Sequence, residues 1–310
     1  MDSEKMMPFP AESAEKVERL LDVLEEMTMH PALKGRFAMY GGTAINLFML
    51  DIPRLSVDID ATFIGSPERE IMLAAKPGIE RAIGEVALAL GYSIEPGKAE
   101  HAGRSFFLGY RGPHGADNIK IDFTYLNRVP LFPVEDRTTS LREGLTVPML
   151  SDYELVGGKV KAFFSRIKVR DIYDVSNLAV LLRRIDDPAK RELMHKTILF
   201  NATLSAAFPF GFEGREQRFA DKEKELEDEL YPMLRLGEAK PSLESLMDSA
   251  SAFIEDWVVP QDEEERGFLR CFADGDYSPE LLFGEDAVVK TAKMSPEALW
   301  KLSNIKRMPK

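Results

Sequence analysis

Residues 36–60 read RFAMYGGTAINLFMLDIPRLSVDID, and the fold turns on them. The short apolar run Phe37 to Tyr40 reads as a strand and ends in Gly41-Gly42-Thr43. Thr43 to Leu50 then reads as a helix that turns Ile45, Phe48 and Met49 inward. Ser56 to Thr62 reads as a second strand. Arg54, Ser56, Asp58 and Asp60 are each two residues apart, so alternation puts both carboxylates on one face and Val57 and Ile59 on the other. Strands are depleted in Asp, which makes two in one strand informative. Two glycines ahead of a helix leave room for a phosphate and offer backbone N–H groups to it. Thr43 either caps that helix or gives its hydroxyl to a phosphate. Arg54 either grips a phosphate as a fork or pairs with the acidic cluster.

A third carboxylate follows the same logic. In Ile119-Lys120-Ile121-Asp122-Phe123, Ile121 and Phe123 face one side and Lys120 and Asp122 the other. If this strand lies beside the Asp58–Asp60 strand, Asp122 comes within about 5 Å of the pair. Two like charges at that spacing repel by roughly 3 kcal/mol at an effective dielectric of 20. Such a cluster calls for a cation. Carboxylates with substrate phosphates suit Mg²⁺, or Mn²⁺ in its place, and a metal pair about 4 Å apart serves an in-line displacement. Asp58, Asp60 and Asp122 are therefore the candidate metal ligands. With Gly41, Gly42, Thr43, Arg54 and Ser56 around an NTP, this is equipment for nucleotidyl transfer.

The rest of the first 150 residues fits a mixed α/β domain of about five strands. Val17, Leu20, Leu21 and Leu24 recur at helical spacing, so 11–28 reads as an amphipathic helix. Residues 68–90 read as a helix closed by Gly91. Tyr92–Glu95, Ser105–Arg111 and Asn118–Tyr125 read as strands, the last two joined by a hairpin at Gly112-Pro113-His114-Gly115. After Pro148 the pattern turns helical. Ser151 and Glu154 form a capping-box signature ahead of helices at 152–168 and 170–184. Further helical stretches lie near 188–205, 213–231, 242–257 and 295–307, with no strand pattern among them. The fold class is thus α+β, with an α/β domain at 1–148 and an all-helical region at 149–310.

A basic segment opens that helical region. Lys159, Lys161, Arg166, Lys168 and Arg170 stand out in an acidic chain. On a helix Lys159, Ala162 and Arg166 share one face, and Lys161, Ser165 and Lys168 another. The segment is either an anion-binding patch or a solvated face with ion pairs to Asp171 and Asp174. Gly157 and Gly158 each cost about 1 kcal/mol relative to Ala in a helix, which suggests that something approaches closely there.

Bulk properties set the limits. The 310 residues carry a formal net charge of −12, so no global field attracts nucleic acid. Cys271 is the only cysteine, which excludes an intrachain disulfide and a cysteine zinc site. His30, His101, His114 and His195 lack ligand spacing. The N-terminal stretch MDSEKMMPFPAES lacks the apolar core of a signal peptide, and no run of 18 apolar residues suggests a membrane span. A reducing cytoplasm is the expected location.

Gly41-Gly42-Thr43, Arg54-x-Ser56-x-Asp58-x-Asp60, Lys159-Val160-x-Ala162 and Arg170-Asp171-x-x-Asp174 together resemble the AbiEii/AbiGii-type toxins, MenT proteins among them. These belong to the DNA polymerase β-like nucleotidyltransferase superfamily, and the resemblance spans roughly residues 36–180. It implies a toxin of a toxin–antitoxin or phage-defence (abortive infection) locus. It also implies transfer of nucleotides, often pyrimidines, to the 3′ acceptor end of tRNA, which halts aminoacylation and translation, and it implies a cognate antitoxin. By resemblance Asp58 and Asp60 bind metal, and Ser56 supports the loop or the nucleotide. Lys159, on the face it shares with Arg166, contacts the triphosphate. Asp171 or Asp174 is the distal essential acid, Asp174 being favoured, and Asp122 matches the third superfamily carboxylate. The alternatives are a nucleotidyltransferase acting on a small molecule or a protein, and an inert nucleotide-binding module that serves as a partner.

Overall fold

The computed structural model of the chain describes residues 8–98, 100 and 102–307. His101 and the first seven residues of the N-terminal stretch lie outside the described residues. The chain divides into two compact units, Met1–Ser151 with Met233–Glu238, and Asp152–Pro232 with Ala239–Lys310. The sequence reading draws one boundary near 148. The first unit also takes up a short segment from far along the chain.

The first unit is built on a seven-stranded mixed sheet. Helix α1 (Ala11–Met29) precedes strand β1 (Phe37–Tyr40). A helical run α2 follows, regular over Gly41–Ala44 and widened to a π turn over Ile45–Met49. Then come β2 (Asp58–Phe63), α3 (Arg69–Ala89), β3 (Ser93–Pro96), β4 (Gly103–Gly112) and β5 (Gly115–Thr124). Strands β6 (Glu135–Thr139) and β7 (Arg142–Met149) complete the sheet in the order β3-β4-β5-β2-β1-β7-β6. The last two strands are additions to the five expected from sequence. β2 pairs antiparallel with β1 and parallel with β5, and β4 pairs antiparallel with β5.

One face of the sheet is apolar. Ile59, Ile121, Phe106 and Leu108 are buried there, and the buried apolar sides of α1 and α3 close over it. The opposite face carries Asp58, Asp60, Lys120, Asp122, Ser105 and Phe107 by strict alternation. Two local readings are corrected. β2 begins at Asp58, two residues later than expected, and the α2 run buries Ile45 and Leu47 while Phe48 and Met49 are only half-buried. The π turn rotates the last residues away from the positions a regular helix would give them.

The loop between α2 and β2 is held by the returning segment. The Leu55 N–H donates to the Met233 carbonyl at 2.8 Å, and Arg54 bridges Leu234. The Arg235 guanidinium reaches the Asp51 and Ile52 carbonyls at 2.9 and 3.3 Å. These bonds secure a loop in which Ile52 has φ 48°, a region β-branched residues rarely occupy.

The second unit is helical. Helices α4 (Asp152–Ser165), α5 (Val169–Leu182) and α6 (Pro188–Thr203) lead into short helical turns. Where sequence suggested one helix over 213–231, Arg215–Phe219 forms a separate turn, and Glu223–Glu225, Leu226–Leu230 and Tyr231–Met233 follow as one helical run of changing pitch. Leu243–Trp257 and Pro296–Ile305 follow the sequence reading, with Glu263–Ala273, Glu280–Phe283 and Val288–Lys293 between them. A Cβ on Gly157 would overlap the Asn201 amide of α6, so that glycine serves helix packing, not the approach of a substrate. Gly158 faces open space.

Candidate active site

The α2 run begins where β1 ends. Gly41 has φ +79°, a conformation glycine adopts without strain, and the chain turns there from strand into helix. A Cβ at Gly41 would overlap the Asp60 carboxylate, so the glycine turn and the acidic pair form one surface. Thr43, fully buried, donates its hydroxyl to the backbone carbonyl of Asp58 and lies 3.0 Å from the Ser56 hydroxyl. This anchors the start of β2 to the helix. Thr43 and Ser56 therefore act on the protein itself, and Thr43 neither caps the helix nor offers its hydroxyl to a phosphate.

Asp58 and Asp60 share a face and are half-buried. The strands do lie side by side, and the parallel register sets Asp58 beside Lys120 and Asp60 beside Asp122. Asp122, however, already has a cation. Lys120 Nζ lies 2.6 Å from Asp122 Oδ2, and the Ser105 hydroxyl donates to Oδ1 at 2.5 Å. Among the described residues no three His, Cys, Asp or Glu side chains gather as a metal-binding group. Lys120 thus supplies Asp122 with a positive charge inside the protein, and the register keeps Asp122 beside Asp60. The Asp58–Asp60 pair does fit a divalent cation, being two hard oxygen donors on one face of one strand.

Arg54 lies ahead of β2 and is 2 % exposed, with Nη1 donating to the Leu55 carbonyl at 2.8 Å.

The second unit holds its own charged cluster. Lys159 Nζ lies 2.7 Å from Asp174 and 3.1 Å from Asp171, with all three side chains buried. Arg166 binds the same Asp171 through Nε at 2.6 Å and Nη2 at 3.1 Å. Burial alone would raise the Asp171 carboxyl, but Lys159 and Arg166 outweigh it and hold it below the usual carboxylate range. Two further cations of this segment are engaged, Lys161 with Glu297 and Lys168 with Glu229. Four of its five cations are thus in ion pairs. Lys159, expected to contact the triphosphate, has its ammonium buried between two carboxylates.

Lys120 and Ser105 were missing from the sequence-derived site. Ser105 was within reach, because the Gly112–Gly115 hairpin fixes the register that puts it opposite Asp122.

The sequence model of the family described as "Nucleotidyl transferase AbiEii toxin, Type IV TA system" matches residues 22–255. No curated protein matches the sequence. Among solved structures, the chain is similar to MenT4, a nucleotidyltransferase toxin from Mycobacterium tuberculosis H37Rv, at 15 % identity and a TM-score of 0.44, covering 96 % of this chain and 85 % of that one. It is also similar to JHP933 from Helicobacter pylori, at 12 % identity and a TM-score of 0.46, covering 80 % and 92 % respectively.

Proposed function

The chain belongs to the AbiEii nucleotidyltransferase toxin family, and from that premise we propose that it moves a nucleotide, a pyrimidine by preference, from an NTP to the 3′-hydroxyl of a tRNA acceptor end. As a toxin of a type IV toxin–antitoxin family it is a nucleotidyltransferase that uses an NTP and has a cognate antitoxin. The proposal adds the acceptor, the base preference, the ion and a cytoplasmic site of action. Among the described residues no helix is long and apolar enough to cross a membrane.

One observation carries the reading. The Asp60 carboxylate rests directly on Gly41, so the acidic pair of β2 and the turn that opens the α2 run meet at one point. In this scheme Asp58 and Asp60 hold Mg²⁺ or Mn²⁺, which when bound neutralises charge developing on the α-phosphate. Gly41 and Gly42 receive the β- and γ-phosphates on backbone N–H groups. Thr43 and Ser56 keep β2 in register with that turn. Asp122, oriented by Lys120 and Ser105, takes the proton of the attacking hydroxyl as the P–O bond forms and pyrophosphate leaves. Positioning and electrostatics supply most of the acceleration. Lys159, Asp171, Asp174 and Arg166 act in this scheme by holding the second unit's helices.

The test is incubation of the protein with each labelled NTP and total tRNA. Labelled tRNA should form with the native chain, and Asp58→Ala or Asp60→Ala should abolish it while leaving the circular dichroism unchanged. Full transfer by either variant removes the site. Label appearing on small acceptors or on protein, with none on tRNA, moves the acceptor to another class.

A further inference from the structure

The sheet order assigns the two flanks of the acidic pair. β2 carries Asp58 and Asp60, with β1 and the Gly41 turn on one side and β5, then β4, on the other. In an in-line displacement the leaving pyrophosphate and the attacking oxygen lie on opposite sides of the transferred phosphorus. If the phosphates sit at Gly41, the acceptor arrives from the β4 flank.

A groove of about 430 Å³ lies on that flank, lined by Gly97, Lys98, Gly103, Ser105, Phe107 and Asp122 among others. Phe107 follows Ser105 by two residues on β4, so its ring emerges on the same face as Asp122. It pairs in register with Lys120, which sets it about 8 Å from Asp122 along and across the strands. That is close to the span of one nucleotide. The ring is only half-buried although the neighbouring Phe106 and Leu108 are 2 % and 0 % exposed in the core. Lys98 is exposed at the rim without a partner among the described residues, and Glu100 lies in the same lining. An accessible aromatic face and a nearby cation are what an unpaired nucleobase and its phosphate use.

We propose that this groove binds the last unpaired nucleotide of an RNA acceptor, its base stacked on Phe107 and its phosphate near Lys98, so that the terminal 3′-hydroxyl meets Asp122. The proposal rests on the nucleotidyl-transfer reading and assigns its acceptor subsite to the first unit. Phe107 is a substrate-positioning residue in this arrangement and has no part in the bond-making step.

Steady-state kinetics with an oligoribonucleotide bearing an unpaired 3′ end test it. Phe107→Ala should raise the KM for RNA about tenfold or more, the usual worth of a lost base stack, and leave the KM for NTP unchanged. Phe107→Tyr should restore native behaviour. Lys98→Glu, a surface change that leaves the core intact, should also raise the RNA KM. Fluorescence anisotropy of the labelled oligonucleotide without NTP should report the same losses of binding. Unchanged RNA affinity in both Phe107→Ala and Lys98→Glu overturns the groove, as does an effect confined to the KM for NTP. Equal loss with small-molecule acceptors also overturns it. Transfer that survives Asp58→Ala overturns the underlying reading instead, so the two failures are told apart. Should Phe107→Ala fail to fold, Phe107→Tyr and Lys98→Glu decide the matter.

Discussion

A methyl group at Gly41 meets two obstacles, a left-handed backbone and the Asp60 carboxylate. The backbone term alone costs about 1–2 kcal/mol. Gly41→Ala should therefore lower the unfolding free energy by at least that amount and displace Asp60. Chemical denaturation and NTP transfer, measured together, should show activity falling far more than stability. Lys159 makes the opposite case, a residue held by charge. Lys159→Met strands two buried carboxylates, and breaking such a cluster costs about 3–5 kcal/mol. The urea midpoint should drop accordingly, and an unchanged midpoint would remove the structural role given to it here. At this scale the carboxylates were legible, because Asp on alternate residues of an apolar strand needs a reason. The burial of Lys159 and Arg54 was not, since a basic residue in sequence shows its charge and not the partner that consumes it.

The pairing of α4 with α5 makes a prediction about pH. Asp171 is held below the usual carboxylate range, so its contribution to stability is complete above the unfolded-state pKa of about 3.9. It is lost as pH falls from there through the lower folded-state value. Thermal unfolding of the native chain should soften in acid below about pH 4, and the same slope should flatten in Asp171→Asn. The loop before β2 gives a second prediction. Removing the Arg235 guanidinium takes two donors from the Asp51 and Ile52 carbonyls, each worth about 1 kcal/mol. Arg235→Ala should speed hydrogen exchange at the Leu55 amide without slowing that of the β4–β5 hairpin. Elements with strong local signals were legible: α1 by its apolar spacing, α3 by its closing glycine, the hairpin by its turn. β6 and β7 were not, because β6 is a polar edge strand whose register slips at Thr138–Thr139 and β7 carries Pro148 near its end. The Arg235 bonds join residues more than 180 positions apart, a distance at which sequence pattern says nothing.

Across the whole molecule the net charge of −12 bears on how an RNA is bound. Lys161, Arg166 and Lys168 are already paired with carboxylates, which takes this basic segment out of the set that could neutralise phosphates. Each phosphate neutralised on a single strand contributes about −0.7 to the log–log salt slope, so the KM for RNA should change only shallowly between low and physiological salt. A steep dependence would reveal a cationic surface that the ion pairs do not leave. The incorporation of Met233–Glu238 into the first unit has a different consequence, one for synthesis. A ribosome has to extrude the chain past residue 238 before the loop leading to Asp58 can be fastened. A fragment that ends before residue 233 therefore lacks this fastening, and its loop ahead of Asp58 is left unsecured.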